Sequence, residues 1–174
     1  EIERFRREIE YLARLSHPHV VGIVDAGEDR GVAFAVLVHL AGGSLLERLR
    51  ARGAGTPARL PVADLGTWLR GVADALDFIH AAGVLHRDLT PSNVLFDAAG
   101  AAHLADFGLA KGPAYTVLTR PGQVMGTLDY LAPELIRGEP AGPPSDIYGL
   151  GCLIYECVAG EPPFAAVSGF KVGL

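Results

Sequence analysis

Residues 86–93 read His-Arg-Asp-Leu-Thr-Pro-Ser-Asn, and two triplets follow in order, Asp-Phe-Gly at 106–108 and Ala-Pro-Glu at 132–134. Each motif alone is weak, because an Asp after a strand is more often a loop hydrogen-bonder and Ala-Pro-Glu is simply a good helix start. Together they fix about ten residues at roughly one in twenty each, so a given placement would arise by chance on the order of once in 10^13. Chance therefore does not explain the three motifs.

The motifs bring oxygen-bearing side chains together. Asp88 and Asn93 flank a tight loop, so both can face one cavity, and Asp106, between a predicted strand and a glycine, can aim its carboxylate at the same cavity. A hard cation such as Mg²⁺ prefers oxygen ligands and completes its shell with substrate phosphates. A carboxylate and an amide around Mg²⁺, with a second carboxylate orienting a hydroxyl, are typical of phosphoryl transfer.

Composition excludes several other classes of protein. The 174 residues are 49% hydrophobic and 20% charged with a net charge of −5, which indicates one globular domain, of one or two lobes, and no basic face for nucleic acid. Cys152 and Cys157 do not suggest a disulfide framework, which favours a reducing cytoplasmic setting. No apolar run is long enough to span a bilayer, so we expect no membrane contact by this segment. The chain reads as a fragment of a longer protein, which could itself be tethered to a membrane.

Hydrophobic periodicity predicts the elements around the motifs. We expect a helix over roughly residues 1–15, a hairpin of strands 20–26 and 32–40, a short helix capped by Ser44, and one long helix with its apolar stripe at 65–79. Short strands at 84–85, 94–96 and 102–105 and a buried helix at 146–159 follow. Residues 108–126 read as a long loop, which in a compact domain is usually functional.

These motifs make the sequence resemble the eukaryotic-type (Hanks-type) protein kinase family, Ser/Thr branch, from Glu1 to about Phe164. The resemblance implies an α+β, truncated bilobal fold with a partial N-lobe β-sheet. Residues 1–40 would form the partial N-lobe (third helix, two strands, start of the hinge), and residues 41–174 would form a partial, mostly helical C-lobe (catalytic loop, activation segment, central buried helix). It also implies ATP and Mg²⁺ as cofactors and a protein Ser or Thr as substrate. The Ala/Gly/Arg-rich composition favours a bacterial source.

The resemblance assigns the site residues. Asp88 would be the base-like residue, Asn93 and Asp106 would hold Mg²⁺, and Glu8 would pair with the ATP-contacting Lys. A surface ion pair of Glu8 with Arg4 is the alternative. Leu37 would be the gatekeeper, and the full nucleotide-contacting set would be Leu37, Val38, His39, Leu40, Leu95, Asn93 and Asp106.

Regulatory residues follow from the same resemblance. Arg87 directly before Asp88 marks members controlled by phosphorylation of the activation loop, and Lys111 and Arg4 fall where the family places the other phosphate ligands. Thr116 and Thr119 are the candidate acceptors, with plain solvated threonines as an equal alternative. Self-association for autophosphorylation is compatible with this interpretation.

Substrate choice is implied by two features. Thr127 lies in a segment that resembles the substrate loop of Ser/Thr rather than Tyr kinases. Ser44 and Ser92 stand where Arg-directed members carry acids, so we expect no strong demand for basic residues upstream of the target.

Other motif residues would be structural. Leu12, Ile23, His86 and Phe107 would stack as the family's internal column, for which simple core packing is the alternative. Glu134 would pair with an Arg on a helix that the sequence does not contain, and Asp146 would hold the backbone of the loop at 86–93.

The pattern departs from the family at several points. Thr90 stands where Ser/Thr kinases generally carry Lys, which would weaken stabilisation of the transferring phosphate. Nothing resembles the Gly-rich loop, the Lys-bearing strand or the C-terminal helices, so we expect these 174 residues alone to fold poorly and to be inert.

Two other functions remain open. A pseudokinase or scaffold with the same fold is the first, favoured by Thr90 and disfavoured by intact Asp88, Asn93 and Asp106. A small-molecule phosphotransferase is the second and weaker one, because such enzymes typically lack Arg between the His and Asp, the Asp-Phe-Gly triplet and Ala-Pro-Glu.

Overall fold

The computed structural model describes residues 9–52, 59–107 and 128–164, and the description below concerns these residues. Residues 9–12 are helical, so the first predicted helix ends at 12 rather than 15. The side chain of Tyr11 ties this helix to the body of the molecule, because its hydroxyl donates to the carbonyl of Ala82 at 2.7 Å.

The predicted hairpin is confirmed. Strand β1 (Ile23–Asp29) pairs antiparallel with β2 (Val32–Leu37). Arg30 and Gly31, both at positive φ (51° and 82°), make the tight turn, as the right-handed twist of paired strands favours. β1 begins three residues later than expected because the chain before it pairs elsewhere, and β2 ends at Leu37, three residues early.

A second small sheet lies at the centre of the molecule. Strands β3 (Val94–Phe96) and β4 (Ala102–Leu104) form an antiparallel hairpin, and residues 17–21, the anchor segment, add to its β4 edge. Leu104 N–H donates to the carbonyl of His19 at 2.8 Å, and Val21 N–H donates to that of Leu104 at 2.9 Å. The anchor segment therefore joins the first hairpin to the rest of the chain.

Five further helices follow the first among the described residues: α1 (Leu45–Arg52), α2 (Val62–Leu65), α3 (Leu69–Ala81), α4 (Pro133–Ile136) and α5 (Pro143–Ala159). Helix α1 begins as expected at Ser44, whose Oγ accepts from Glu47 N–H at 3.2 Å while the Glu47 carboxylate accepts from Ser44 N–H at 2.7 Å. Helix α5 starts at Pro143, three residues before the expected Asp146.

Two expectations about regular structure are wrong. The single helix predicted across 65–79 is broken by a turn at 66–68, where Thr67 Oγ1 donates to the carbonyl of Asp64 at 2.6 Å and Trp68 leaves helical geometry (φ −131°). Residues 84–85 do not form a strand, because the backbone just after them pairs with a side chain of α5 instead of a neighbouring strand.

One hydrophobic core holds these elements together. It is built on the buried stripe of α3, namely Val72, Ala75, Leu76 and Ile79, and it includes Leu12, Leu45, Phe96, Leu104, Phe107 and Leu153. Because the core reaches from the first helix to α5, it fixes the loops between them.

Candidate active site

Residues 86–93, here called the catalytic loop, are held in place by hydrogen bonds to a side chain of α5. Asp146, 3% exposed, accepts hydrogen bonds from the N–H groups of His86 at 2.9 Å and Arg87 at 2.8 Å. Arg87 has a positive φ of 67°, which an L-residue adopts only where its surroundings over-determine it. The two bonds to Asp146 supply that constraint and satisfy a buried carboxylate.

A residue that the sequence analysis did not single out completes this contact. His80, in the last turn of α3, places Nε2 2.7 Å from Asp146 Oδ2. Its spacing fits no metal motif, and its partner lies 66 residues away, so no local signal identifies it. His80 therefore couples α3 to the same carboxylate that holds the catalytic loop.

His86 connects the catalytic loop to the segment after β4. Its Nε2 donates to the carbonyl of Ala105 at 2.9 Å, and its Nδ1 accepts from Asp88 N–H at 3.3 Å. The ring is 1% exposed, and this burial lowers the pKa of His86. The nearby carboxylates act in the opposite direction, but their effect is smaller than that of burial. The neutral ring, with its proton on Nε2, is the form that fits both bonds.

The three oxygen-bearing residues lie on these two connected segments. Asn93 ends the short 3₁₀ turn Pro91–Asn93, and its Nδ2 donates to the carbonyl of Asp88 at 2.7 Å. Ala105 N–H donates to the carbonyl of Asn93 at 2.9 Å, which places Asp106 one residue from that contact. Asp106 is exposed at a positive φ of 59°, while Phe107 after it is buried in the core.

This donor set fits a magnesium–nucleotide group. Because Asn93 Nδ2 is committed to a backbone carbonyl, the amide presents Oδ1, an oxygen, and Asp106 adds an exposed carboxylate. The described residues contain no group of three or more His, Cys, Asp or Glu arranged for a metal. Asn93 Oδ1 and the Asp106 carboxylate would give such a cation two oxygen ligands, and Mg²⁺ usually takes further ligands from phosphate and water.

The expected nucleotide-contacting residues border the junction between the two sheets. Leu37, Leu40 and Leu95 are half-buried, whereas Val38 and His39 are exposed. Val38 N–H donates to the carbonyl of Gly22 at 2.9 Å. A purine contacting this stretch would therefore use backbone groups other than the N–H of Val38.

Several predicted residues lie outside the described residues: Arg4, Glu8, Lys111, Thr116, Thr119 and Thr127. Of the predicted column, Leu12 and Phe107 belong to one buried cluster, Ile23 packs against it, and His86 is buried as described.

Glu134 is not left without a partner, contrary to the expectation from the sequence. It is half-buried, and Ser145 Oγ donates to its Oε1 at 2.6 Å, which lowers the pKa of the Glu134 carboxyl. Ser145 also accepts from Gly142 N–H at 3.2 Å, so one hydroxyl joins α4 to the start of α5.

A small depression that is open to solvent lies beside Asp88. The catalytic loop, residues 130–135 and α5 form its walls, with apolar surface from Leu89, Leu131 and Leu135. The Tyr130 hydroxyl donates to the half-buried Glu156 carboxylate, which fixes one side of the opening, and burial raises the pKa of both groups.

Comparison with known proteins gives the family. Residues 1–172 match the family described as the protein kinase domain. The chain is 41% identical to serine/threonine-protein kinase PknD of Mycobacterium tuberculosis, covering 95% of this chain and 24% of that protein. It is 38% identical to a probable serine/threonine-protein kinase of Corynebacterium efficiens, covering 98% of this chain and 26% of that protein.

A solved structure of a kinase domain is also similar to this chain. The crystal structure of a cysteine-to-alanine mutant of the Mycobacterium tuberculosis PknI kinase domain matches with a TM-score of 0.72 at 35% identity, covering 92% of this chain and 57% of that one. The chain belongs to the protein kinase domain family, and the α+β kinase fold expected from the sequence is confirmed. It spans about a quarter of the length of the curated relatives named above.

No helix among the described residues combines the length and the apolar character needed to cross a bilayer.

Proposed function

We propose that this chain provides the catalytic core of a serine/threonine protein kinase, which transfers the γ-phosphoryl group of ATP to a hydroxyl of a protein substrate. The observation that carries the proposal is the pairing of two segments. The bond from Ala105 N–H to the Asn93 carbonyl, together with His86, holds Asp106 beside the loop that bears Asp88 and Asn93. Relatives at 38–41% identity carry the serine/threonine kinase name.

Each residue has a defined task in this proposal. Asp88 orients the substrate hydroxyl and receives its proton as the oxygen bonds to the γ-phosphorus and the bond from that phosphorus to ADP breaks. Asn93 and Asp106 would hold Mg²⁺, which neutralises phosphate charge when bound. Glu8 would position the phosphate-contacting Lys, and Leu37, Leu40 and Leu95 would line the base.

The depression beside Asp88 is open to solvent, so a hydroxyl of a protein substrate can approach this carboxylate there. Kinase activity would be controlled by phosphorylation of Thr116 or Thr119, with Arg87, Lys111 and Arg4 binding the phosphate. Two copies of the chain would phosphorylate each other, and the location would be cytoplasmic.

The test is transfer of radiolabelled phosphate from ATP by the full-length gene product. Asp88→Asn keeps the size of the side chain and removes the proton acceptor, so we expect the rate to fall by about 10²–10⁴. Asp77→Asn, at an exposed position of α3, is the matched control and should keep full activity. An Asp88→Asn protein as active as the wild type would contradict the proposal.

Thr90 supports one alternative, a pseudokinase that binds nucleotide and acts through a partner. Residues 89–93 offer no Lys or Arg to the phosphate. Tight binding of Mg·ATP by a folded protein that transfers no phosphate would favour this alternative.

A further inference from the structure

The stretch of chain that begins at Tyr11 lies along α3 in the opposite direction. The Tyr11 hydroxyl donates to the carbonyl of Ala82, just after the last residue of α3, at 2.7 Å. Further along the chain, the ring of His17 stacks on that of Phe78, with their centroids 4.9 Å apart, and the ring of His19 lies against the first turn of α3. The contacts with α3 therefore follow in reverse order, and Tyr11 makes the one at its C-terminal end.

The Tyr11 hydroxyl binds at a place where a helix needs a donor. The carbonyls at the C-terminal end of a helix have no donor within that helix. Ala82 is the C-terminal capping residue of α3, and Gly83 after it turns the chain away at a positive φ of 74°. The side chain of Tyr11 thus supplies from 71 residues away a hydrogen bond that α3 cannot supply itself.

This hydrogen bond fixes the orientation of the first helix in a way that its apolar contacts do not. Ile9 and Leu12, 1% and 2% exposed, anchor the first helix by burial. Burial of apolar surface is non-directional, whereas a hydrogen bond weakens steeply as donor and acceptor lose their alignment. Rotation or sliding of the first helix along α3 therefore costs the bond from Tyr11 to Ala82.

The backbone that accepts this bond leads into the catalytic loop. His80, two residues before Ala82, contacts the Asp146 carboxylate, and His86, four residues after Ala82, donates its N–H to the same carboxylate. The Ala82 carbonyl thus lies between two residues that one buried side chain holds. Through Tyr11, the first helix is connected to a segment that is fixed at both ends.

We propose that Tyr11 is a positioning residue for phosphoryl transfer, because its hydroxyl makes the first helix and the segment before the catalytic loop move as one body. The inference rests on the proposed function, in which Glu8, three residues before Tyr11 in the sequence, positions the phosphate-contacting Lys. The bond then keeps the nucleotide side of the site in a fixed relation to Asp88. Each side binds its own substrate, so the bond acts on transfer rather than on binding.

The first test is steady-state phosphate transfer by the full-length gene product. Tyr11→Phe keeps the ring and loses only the hydroxyl, so kcat should fall about two- to fivefold while KM for ATP and KM for the protein substrate stay unchanged. Tyr155→Phe, at a similarly exposed tyrosine of α5, is the matched control and should equal the wild type. In a Glu8→Gln background, Tyr11→Phe should have little further effect, because the position of the first helix then no longer serves the Lys.

The second test measures amide hydrogen exchange by mass spectrometry on the same full-length protein without nucleotide. Tyr11→Phe should speed exchange about two- to fivefold in peptides that cover residues 9–15 and 83–87, because both sides of the lost bond become freer to open. Exchange in α1 should stay at the wild-type rate, as should all exchange in Tyr155→Phe.

The outcomes distinguish this inference from the proposed function. If the wild type transfers no phosphate, or if Asp88→Asn transfers it at the wild-type rate, the proposed function fails and the role of Tyr11 fails with it. If transfer depends on Asp88 but Tyr11→Phe keeps the wild-type kcat, only the role of Tyr11 is overturned, and a lower thermal midpoint would then mark a purely structural bond. A loss of kcat that is equally large in the Glu8→Gln background also overturns it.

Discussion

At the scale of single residues, the catalytic loop depends on one buried carboxylate with three donors. Asp146 accepts from two backbone N–H groups and contacts His80, so the imidazole adds a constraint from a different helix. Removing one partner of a buried hydrogen bond usually costs about 1–2 kcal/mol. Loss of the contact between His80 and Asp146 should weaken the hydrogen bonds that Asp146 accepts from the amides of His86 and Arg87.

We therefore expect His80→Leu to lower the free energy of unfolding by about 1–2 kcal/mol and to speed amide exchange at residues 86–87. His80→Gln, which keeps a donor of similar reach, should retain most of the stability. Thermal unfolding and hydrogen exchange by mass spectrometry measure both effects. Equal behaviour of the Leu and Gln variants would contradict this role, since only one of them loses the donor.

The same residues mark the limit of prediction from sequence at this scale. Asp88, Asn93 and Asp106 stand in motifs, so their grouping is visible in the order of the chain. No sequence pattern identifies His80, because its contact with Asp146 forms only after α3 and α5 pack together. Contacts of this range depend on tertiary structure, which a single sequence does not display.

At the scale of elements, the anchor segment docks on α3 through a glycine. His19 Nδ1 donates to the carbonyl of Ala102 at 2.7 Å, and its ring fills the space above Gly71. A Cβ at Gly71 would lie 2.7 Å from His19 Nδ1, closer than real contacts allow. The fit between α3 and the anchor segment thus requires Gly71.

We expect Gly71→Ala to destabilise the protein by about 1–3 kcal/mol, because the gain in helix propensity is smaller than the cost of moving the ring. Gly151→Ala is the matched control in α5, where nothing among the described residues lies within 4 Å of the added Cβ, and it should stabilise by about 0.5–1 kcal/mol. The double variant Gly71→Ala with His19→Ala should be more stable than the sum of its single changes predicts. Additive changes in thermal midpoint would refute the contact.

Elements with their own local signals are predicted well, and those shaped by neighbours are not. The hairpin of β1 and β2 follows from two β-rich runs separated by turn residues that end in Gly31. The break at 66–68 escapes prediction because Leu65, Trp68 and Leu69 are all apolar at helical spacing, and a turn that keeps its apolar side chains in the core leaves that spacing unchanged.

At the scale of the whole molecule, protonation of His86 should make the stability of the fold depend on pH. The ring lies between the catalytic loop and the segment after β4, and the bond that Nδ1 accepts from Asp88 N–H requires the neutral form, whereas Nε2 donates to the Ala105 carbonyl in either form. Burial lowers the pKa of His86 in the folded protein, whereas in the unfolded chain it returns to about 6.5. Below about pH 6.5, the unfolded state therefore binds a proton at His86 more readily than the native state does.

Stability should fall as pH drops below about 6.5, by up to about 1.4 kcal/mol per pH unit from this group, until the lowered pKa of the native state is reached. His86→Phe cannot take up this proton, so its thermal midpoint, lower at neutral pH because two hydrogen bonds are lost, should vary less between pH 7 and 5. His39→Gln, at an exposed histidine, should keep the slope of the wild type. If His86→Phe loses stability with acidification as steeply as the wild type, the acid sensitivity arises elsewhere, and the neutral His86 is not what joins the two segments of the site.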